Sequence, residues 1–330
     1  MSAIELSGVT KRFGDVTAVN DLDLTVEEGE VFGFLGPNGA GKSTTINMIL
    51  DFVRPTAGEV RVLDRDAQAE SVAIRRRIGV LPEGFSVYER LTGRQHVEFA
   101  IESKELDVDP DPVLDRVGLL DDADRTAGGY SKGMAQRLAL AMALVGQPQL
   151  LILDEPSSGL DPAGAKEMRE IVRAEADRGA TVFFSSHVLG QVEAVCDRVG
   201  ILREGELVAQ DSVEGLRETV GSGETLRVSV DGAGEEDLAA VRALDGVNGA
   251  ATDGTTVTVD CESGAKTAVI GALEDAGVTV TDFTTAEASL EDLFLAYTEG
   301  DAPGGAPGEG GSGAADGADV RDAASEEVAE

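Results

Sequence analysis

A glycine-rich loop near the start of the chain has the residue types and spacing of a phosphate-binding site. Residues 36–43 read Gly-Pro-Asn-Gly-Ala-Gly-Lys-Ser, which matches the pattern GxxxxGK[ST] between a predicted strand (31–35) and a helix predicted from Lys42. The glycines allow backbone N–H groups to surround phosphate oxygens, and the helix N-terminus adds a favourable dipole. Lys42 would reach the β- and γ-phosphates of a nucleotide, and the Ser43 hydroxyl would ligate Mg²⁺. The alternative is a glycine turn that fits the pattern by chance.

Two adjacent acids follow a second apolar strand. Residues 150–153 read Leu-Leu-Ile-Leu, and Asp154 and Glu155 come directly after them, at the strand end where open α/β sheets bind ligands. Asp154 is suited to a Mg²⁺ shell, and Glu155 to a base that polarises an attacking water. Both could instead be solvated loop charges, but a phosphate loop predicted in the same sheet favours catalysis.

Two further segments carry a family resemblance. Residues 130–134 read Tyr-Ser-Lys-Gly-Met and are followed by Ala-Gln-Arg-Leu, while residues 157–161 read Ser-Ser-Gly-Leu-Asp. They resemble the signature motif and the D-loop of ABC ATPases, in the form found in the daunorubicin-resistance-like branch of ABC-2 type exporters. The resemblance covers about residues 3 to 215, with the motifs in the expected order.

The resemblance implies ATP and Mg²⁺ as ligands and assigns roles to matching residues. It implies that Glu155 is the catalytic base and that His187, after the predicted strand 181–185, is the switch histidine. The implied ATP contacts are Phe13, Gly36, Asn38, Gly39, Ala40, Gly41, Lys42, Ser43, Thr44, Ser131, Gly133 and Asp161. The implied metal ligands are Ser43, Glu83 and Asp154.

Some of these residues have other interpretations or depart from the family pattern. Glu83 stands where the family usually has a glutamine, and a carboxylate can accept a hydrogen bond or coordinate a cation but cannot donate. The signature differs from Leu-Ser-Gly-Gly-Gln at its first, third and fifth positions but keeps Ser131 and Gly133. A lone histidine such as His187 is often structural. Phe13, expected to stack on adenine, could be a core residue.

The remaining pattern predicts the elements that position these residues. Strands predicted over residues 1–30 form a small antiparallel sheet, residues 85–145 are mostly helical with breaks at Pro110 and Pro112, and a helix is predicted over 163–178. We therefore expect an α/β P-loop ABC ATPase domain over residues 1–218, with a parallel-sheet core, an antiparallel β subdomain and a helical subdomain.

A second, smaller domain is predicted over residues 224–299, after a glycine linker at 221–223. Its expected elements are a strand (225–230), a helix (235–244), a hairpin (247–259), a helix (265–276) and a strand (278–283), which is the βαββαβ order of an α+β ferredoxin-like fold. A final amphipathic helix is expected over 289–297, opened by a capping box at Ser289. Residues 300–330 form a Gly/Ala/acidic tail that we expect to be disordered.

The composition limits the classes of partner. The chain has 62 acidic and 27 basic residues and a formal net charge of −35, which disfavours nucleic acid as a partner and resembles proteins of salt-loving microbes. Cys196 and Cys261 are far apart in the sequence and are expected to be buried free thiols. No apolar run approaches the roughly 18 residues that span a bilayer, and the N-terminus lacks a signal pattern. A membrane role must therefore come through a partner.

The predicted assembly follows from the resemblance. It implies a head-to-tail homodimer with two ATP molecules at the interface, on the cytoplasmic side of the membrane beneath a separately encoded permease that contacts the helical segment after Glu83. A soluble ABC ATPase acting on ribosomes or DNA would need tandem halves or a coiled-coil insertion, neither of which is present. A binding module with a degenerate ATPase is opposed by the complete set of motifs. Importer ATPases also carry C-terminal domains, but the 130–134 motif, Glu83 and the Ser-Leu-Glu-Asp-Leu-Phe segment at 289–294 resemble exporters.

Overall fold

The computed structural model describes residues 1–219 and 223–286. The strands are β1 (Ser2–Phe13), β2 (Val16–Glu27), β3 (Val31–Leu35), β4 (Ala57–Val62), β5 (Arg65–Asp66), β6 (Ile78–Leu81), β7 (Leu150–Asp154), β8 (Thr181–Ser186), β9 (Arg198–Arg203), β10 (Glu206–Ser212), β11 (Gly223–Val230), β12 (Val247–Thr252), β13 (Thr256–Glu262) and β14 (Val280–Ala286). The helices are α1 (Lys42–Ile49), α2 (Ser71–Arg75), α3 (Gly93–Ser103), α4 (Asp111–Arg116), α5 (Lys132–Leu144), α6 (Pro162–Asp177), α7 (Leu189–Glu193), α8 (Val213–Thr219), α9 (Leu238–Arg242) and α10 (Lys266–Asp275). The amphipathic helix predicted over 289–297 and the tail at 300–330 lie outside the described residues.

A six-stranded sheet is the centre of residues 1–219. Its order is β10-β9-β3-β8-β7-β6; the five strands from β9 to β6 are parallel, and β10 is antiparallel to β9. Every residue of β3, β7 and β8 is buried, because both faces of the sheet are covered. This explains the continuous apolar runs that predicted β3 and β7.

Alternate side chains of the central strands enter two different cores. Phe32 and Phe34 of β3 pack with the antiparallel sheet, whose order is β2-β1-β4-β5. Val31 and Leu35 of the same strand pack with residues of α3, α4 and α5. The central sheet is thus held between an antiparallel sheet and a helical layer, as the fold class predicted.

The helical segment between β6 and β7 differs in one detail from the prediction. Pro110 and Pro112 do not interrupt a helix, because α4 begins at them: Pro110 is its N-cap and Pro112 lies in its first turn. Proline is favoured there, since the first helical N–H groups have no intrahelical acceptor. The start of α3 carries a capping box between Thr92 and Gln95.

Residues 223–286 form the predicted ferredoxin-like unit. The order of elements is β11-α9-β12-β13-α10-β14, and the sheet order is β12-β13-β11-β14 with all neighbours antiparallel. Its apolar cluster is built from its own elements, including Leu226, Val259 and Leu273. The predicted linker was one residue too long, because β11 begins at Gly223. Helix α9 is shorter than predicted, since Asp237 accepts the Gly234 N–H at 2.8 Å in a turn before the helix.

Two other predictions concern burial and the membrane. Both cysteines are buried free thiols, as expected. Within residues 1–219 and 223–286, no helix combines the length and the apolar character that a membrane crossing requires.

Candidate functional site

The glycine-rich loop joins the end of β3 to α1 through a backbone that only glycine tolerates at its last turn. Gly41 has a φ of 108°, and a Cβ there would lie 2.5 Å from the Ala18 carbonyl oxygen. At Gly36 a Cβ would lie equally close to the carbonyl oxygen of Leu202. The loop is therefore pressed against β2 and the end of β9, and a side chain at either position would displace it.

A cavity of about 340 Å³ lies against this loop. It brings residues of the loop together with two acidic residues from other parts of the sequence. Its lining consists of Ala18, Pro37, Asn38, Gly39, Gly41, Lys42, Ser43, Thr44, Glu83 and Glu155. Glu83 follows β6 and Glu155 follows β7, so adjacent parallel strands deliver both carboxylates to the same sheet edge.

Lys42 is the cation of this cavity, and its side chain is buried. The ammonium group donates to the Gly36 carbonyl at 2.7 Å and to the Pro37 carbonyl at 3.4 Å, and it lies 3.7 Å from Glu155 Oε1. Lysine side chains are usually exposed, but that of Lys42 is not. The loop folds over the side chain, and two carbonyls and a carboxylate replace the water that the ammonium would otherwise bind.

Asp154 is the last residue of β7, and its buried carboxylate is held by a neighbouring strand. The Ser185 hydroxyl of β8 donates to Asp154 Oδ1 at 2.6 Å. Burial raises the pKa of the Asp154 carboxyl, and the negative charge of Glu83 raises it further, while Ser185, Lys42 and Ser43 lower it. A buried carboxylate with a raised pKa beside a second carboxylate is an arrangement that a cation would stabilise.

Glu155 has an unusual backbone conformation, and its carboxylate lies between Lys42 and His187. Its φ is 50°, in the left-handed region that residues with a Cβ seldom adopt. One carboxylate oxygen faces Lys42, and the other lies 2.8 Å from His187 Nδ1. Since an ionised carboxylate can only accept, Nδ1 carries the proton in this contact. The structure therefore joins the predicted base to the predicted switch histidine.

Three predicted ATP contacts, Gly36, Ala40 and Phe13, do not line the cavity. Gly36 and the buried Ala40 belong to the loop itself. Phe13 ends β1 with half of its side chain exposed, and the Lys11 ammonium lies 4.8 Å from its ring centroid. Phe13 is therefore a surface aromatic and not a core residue, which leaves one ring face available.

The predicted ATP contacts of the signature and the D-loop, Ser131, Gly133 and Asp161, do not line the cavity of their own chain. Ser131 caps α5, and its hydroxyl accepts the Met134 N–H at 3.2 Å. Gly133 lies in the first turn of the same helix. Asp161 caps α6, and its carboxylate accepts the Gly164 N–H at 2.8 Å.

Two residues that contact the acid pair or the turn beside it were missed from the sequence. Ser185 bonds to Asp154 and also accepts the Glu155 N–H at 3.0 Å. Gln136 of α5 donates to the carbonyl of Pro156 at 2.7 Å. The signal for Ser185 was its place two residues before His187 on a predicted buried strand, since a buried hydroxyl must find partners.

Comparison with known proteins agrees with this geometry. Residues 19–158 match the family model described as "ABC transporter". The chain is 34% identical over 309 residues to the daunorubicin resistance ATP-binding protein DrrA3 of Streptomyces coeruleorubidus, an alignment covering 91% of this chain and 97% of that protein. It is 40% identical over 219 residues to the bacitracin transport ATP-binding protein BcrA of Bacillus licheniformis, covering 65% and 71%.

A solved structure shows the same likeness. The ATP-binding subunit of an ABC transporter superposes with a TM-score of 0.60 at 28% identity, covering 66% of this chain and 92% of that one. The phosphate loop, the acid pair and the near full-length relatives lead to one conclusion. The chain belongs to the ABC transporter ATP-binding subunits, in the branch of the daunorubicin resistance ATP-binding proteins, and it is an ATPase.

Proposed function

We propose that this ATPase drives an ABC-2 type exporter by closing and opening a dimer beneath a separate permease. The observation that carries the proposal is Glu155, whose carboxylate lines the phosphate-loop cavity and lies between Lys42 and His187. The relatives described as resistance and transport ATP-binding proteins support the exporter class.

The residues of the cavity fit a nucleotide with a hard cation. The backbone N–H groups of residues 38–44 and the Lys42 ammonium would bind the phosphates. The Ser43 hydroxyl and the carboxylates of Asp154 and Glu83 are oxygen donors of the kind Mg²⁺ prefers. Burial and the neighbouring Glu83 charge raise the pKa of Asp154, and a cation bound there would lower it. Mg²⁺ bound there neutralises charge on the phosphate oxygens.

In the proposed reaction, a water attacks the γ-phosphorus of ATP, and the bond from that phosphorus to the β,γ-bridging oxygen breaks. Glu155 accepts the water proton, and ADP and phosphate leave. His187 holds the second carboxylate oxygen of Glu155 through Nδ1 and so fixes the base in position. Lys42 changes partners, from the Gly36 carbonyl and Glu155 to the phosphates.

The other half of each ATP site is proposed to come from a second copy of the chain. Ser131 and Gly133 do not line the cavity of their own chain, so they are free to meet the γ-phosphate bound to the partner in a head-to-tail dimer. Asp161 and the D-loop would lie at the same interface. In the free chain, the Ser131 hydroxyl accepts an N–H of α5, and it retains its own hydrogen for an anionic oxygen.

A groove beside α3 supports the proposed permease contact in the helical segment after Glu83. It has a volume of about 310 Å³ and is lined by Leu50, Phe52, Arg75, Ile78, Gly79, Val80, Phe99, Ala100, Ser103, Lys104, Met142 and Ala143. Phe52 and Phe99 are more than half exposed. Its charged lining residues, Arg75 and Lys104, are both cationic in a chain of net charge −35. A permease segment with apolar and acidic side chains would fit it, holding the ATPase at the cytoplasmic face of the membrane.

We propose a halophilic setting for this protein, which the acidic composition supports. We also propose a domain division at residues 1–218, 224–299 and 300–330. With a charge of −35, self-repulsion opposes both folding and pairing when it is not screened. ATPase activity is expected to rise with salt towards molar KCl. Full activity at low ionic strength without added divalent ions beyond Mg²⁺ would contradict the halophilic assignment.

Glu155→Gln tests the proposed cycle. The amide keeps the shape of the side chain but cannot take a proton, so Mg-ATP should bind and close the dimer while turnover falls on the order of a hundredfold or more. Gel filtration with light scattering should show a dimer that requires ATP, and Ser131→Arg in the same chain should abolish it. A Glu155→Gln chain with near-normal hydrolysis would remove Glu155 from its role. One that stays monomeric in ATP would refute the ATP-driven dimer.

A further inference from the structure

Ser185 is a fully buried hydroxyl on β8 that touches both acids of the site. Its relative exposure is 0%, and it lies beside Asp154 in the parallel register of β7 and β8. The hydroxyl donates to Asp154 Oδ1 at 2.6 Å and accepts the backbone N–H of Glu155 at 3.0 Å. One hydroxyl has one hydrogen and two lone pairs, so both bonds are compatible.

The bond to the Glu155 N–H matters because that residue holds a strained conformation. A non-glycine residue with a φ of 50° persists only where the surroundings fix it. The Glu155 N–H is fixed by Ser185, and its carbonyl accepts the Ser158 N–H at 3.0 Å. These two bonds set the direction in which the carboxylate leaves the end of β7, towards Lys42 and His187.

The bond to Asp154 matters because it selects one position for a buried carboxylate. With Oδ1 held by Ser185, the rotation of the carboxylate about its Cβ–Cγ bond is restricted, while Ser43 and Glu83 act on the same carboxyl group. The next serine of the strand, Ser186, bonds instead to the backbone of Val188, as the alternating faces of a strand require.

We infer that Ser185 is a positioning residue for ATP hydrolysis. Its hydroxyl aligns Asp154 for the cation and Glu155 for the attacking water through a single group that is buried away from the cavity. This rests on the roles proposed above for Asp154 and Glu155. Ser185 does not line the cavity, so its loss should change turnover and the Mg²⁺ requirement while leaving the affinity for the nucleotide itself nearly unchanged.

Steady-state kinetics of Ser185→Ala in the full chain provide the test. We expect kcat to fall at least about tenfold, the effect of one lost hydrogen bond to a charged group. The Mg²⁺ concentration for half-maximal activity should rise, with the KM for ATP at saturating Mg²⁺ within about twofold of wild type. Ser185→Thr restores the hydroxyl and is expected to recover most of kcat. The thiol of Ser185→Cys is a weak donor of similar size, so the kcat of this variant should lie between those of the alanine and threonine variants.

Thr181→Val is the matched control. Thr181 lies at the other end of β8, is equally buried, and its hydroxyl accepts the Gly29 N–H at 2.9 Å. The valine variant also removes a buried hydroxyl from β8. Its melting temperature should therefore show the general loss of stability, while its kcat and its Mg²⁺ requirement should stay like those of wild type.

Three results would overturn the inference. They are a Ser185→Ala kcat within twofold of wild type, the same kinetic loss in Thr181→Val, or a Ser185→Thr or Ser185→Cys chain that melts like wild type but remains as slow as alanine. Glu155→Gln measured in parallel separates this from the proposed function. If Glu155→Gln is inactive and Ser185→Ala is normal, only the role of Ser185 is wrong. Normal hydrolysis by Glu155→Gln would instead refute the catalytic assignment itself.

Discussion

Lys42→Ala should remove a contact to the nucleotide and also the contacts by which Lys42 stabilises the loop and Glu155. In the nucleotide-free chain the buried ammonium bonds to the Gly36 carbonyl at 2.7 Å and lies 3.7 Å from Glu155. A hydrogen bond from a charged donor contributes about 1.5–3 kcal/mol, and removal of a buried cation also leaves Glu155 without its counter-charge. Because the cavity admits water to Glu155, we expect the total loss in the free energy of unfolding to stay within that range, at about 2–3 kcal/mol.

The assay is a pair of measurements on the same variant. A loss of that size lowers the melting temperature of a domain of this length by roughly 4–12 °C, measured without nucleotide in high salt. Isothermal titration should show ATP binding weakened on the order of a hundredfold or more, since the phosphates lose their cation. Lys42→Met, which refills the space without the charge, should not restore ATP binding.

Lys166→Ala is the control for the removal of a lysine. Its side chain is 71% exposed, and its ammonium lies 3.8 Å from Glu170 on the same helix. Such exposed pairs contribute about 0.3–0.5 kcal/mol, so its melting temperature should barely change. A Lys42→Ala chain with the melting temperature of this control would refute the stabilising role of Lys42. Unchanged ATP affinity would show that Lys42 does not bind the nucleotide.

Three further predictions follow from burial and exposure at the site and at the cysteines. Burial raises the pKa of Asp154, so this residue's contribution to stability is full below the ordinary carboxyl pKa and is lost as the pH rises through the folded value. Without Mg²⁺, the Asp154→Asn variant should therefore have a higher melting temperature than wild type at neutral pH. This difference should vanish towards about pH 4, and with Mg-ATP wild type should have the higher melting temperature. An Asn variant that is less stable than wild type at neutral pH without Mg²⁺ contradicts this. Phe13→Ala should weaken ATP binding about five- to tenfold, the lower part of the stacking range, because the ring is half exposed. Binding of tripolyphosphate, which has no base, should not change, and an equal loss for both ligands would rule out stacking. Burial raises the pKa of the Cys196 thiol, and Cys261 is fully buried, so iodoacetamide at pH 8 should label neither until the chain is unfolded.

The sequence predicted those parts of the fold that depend on local residue patterns. The runs of β3 and β7 are apolar throughout because both faces of those strands are buried, and the ferredoxin-like order follows from alternation and turns between residues 223 and 286. Strands β9 and β10 were not predicted. They complete one edge of the central sheet: β9 pairs with β3, which is distant in the sequence, and β10 pairs with β9 as an antiparallel hairpin.

The site was predicted in its residue types but not in its contacts. Lysine is usually exposed, so the burial of Lys42 could not be read from its type; it depends on how the loop folds over the side chain. Ser185 is about 30 residues from the acids it holds, and only the register of two parallel strands brings them together. The positive φ of Glu155 likewise has no local sequence signal, because the surrounding fold imposes it.

The central claim is that one chain supplies the phosphate loop and a second chain supplies Ser131 to the same ATP. Mixing two inactive variants, Lys42→Ala and Ser131→Arg, measures this directly, because a mixed dimer would contain one site with both Lys42 and Ser131 intact. ATPase activity is expected to reappear on mixing, at about a quarter of the wild-type value if pairing is random. If both variants remain folded and form mixed dimers, yet the mixture stays as inactive as each variant alone, the shared site is wrong.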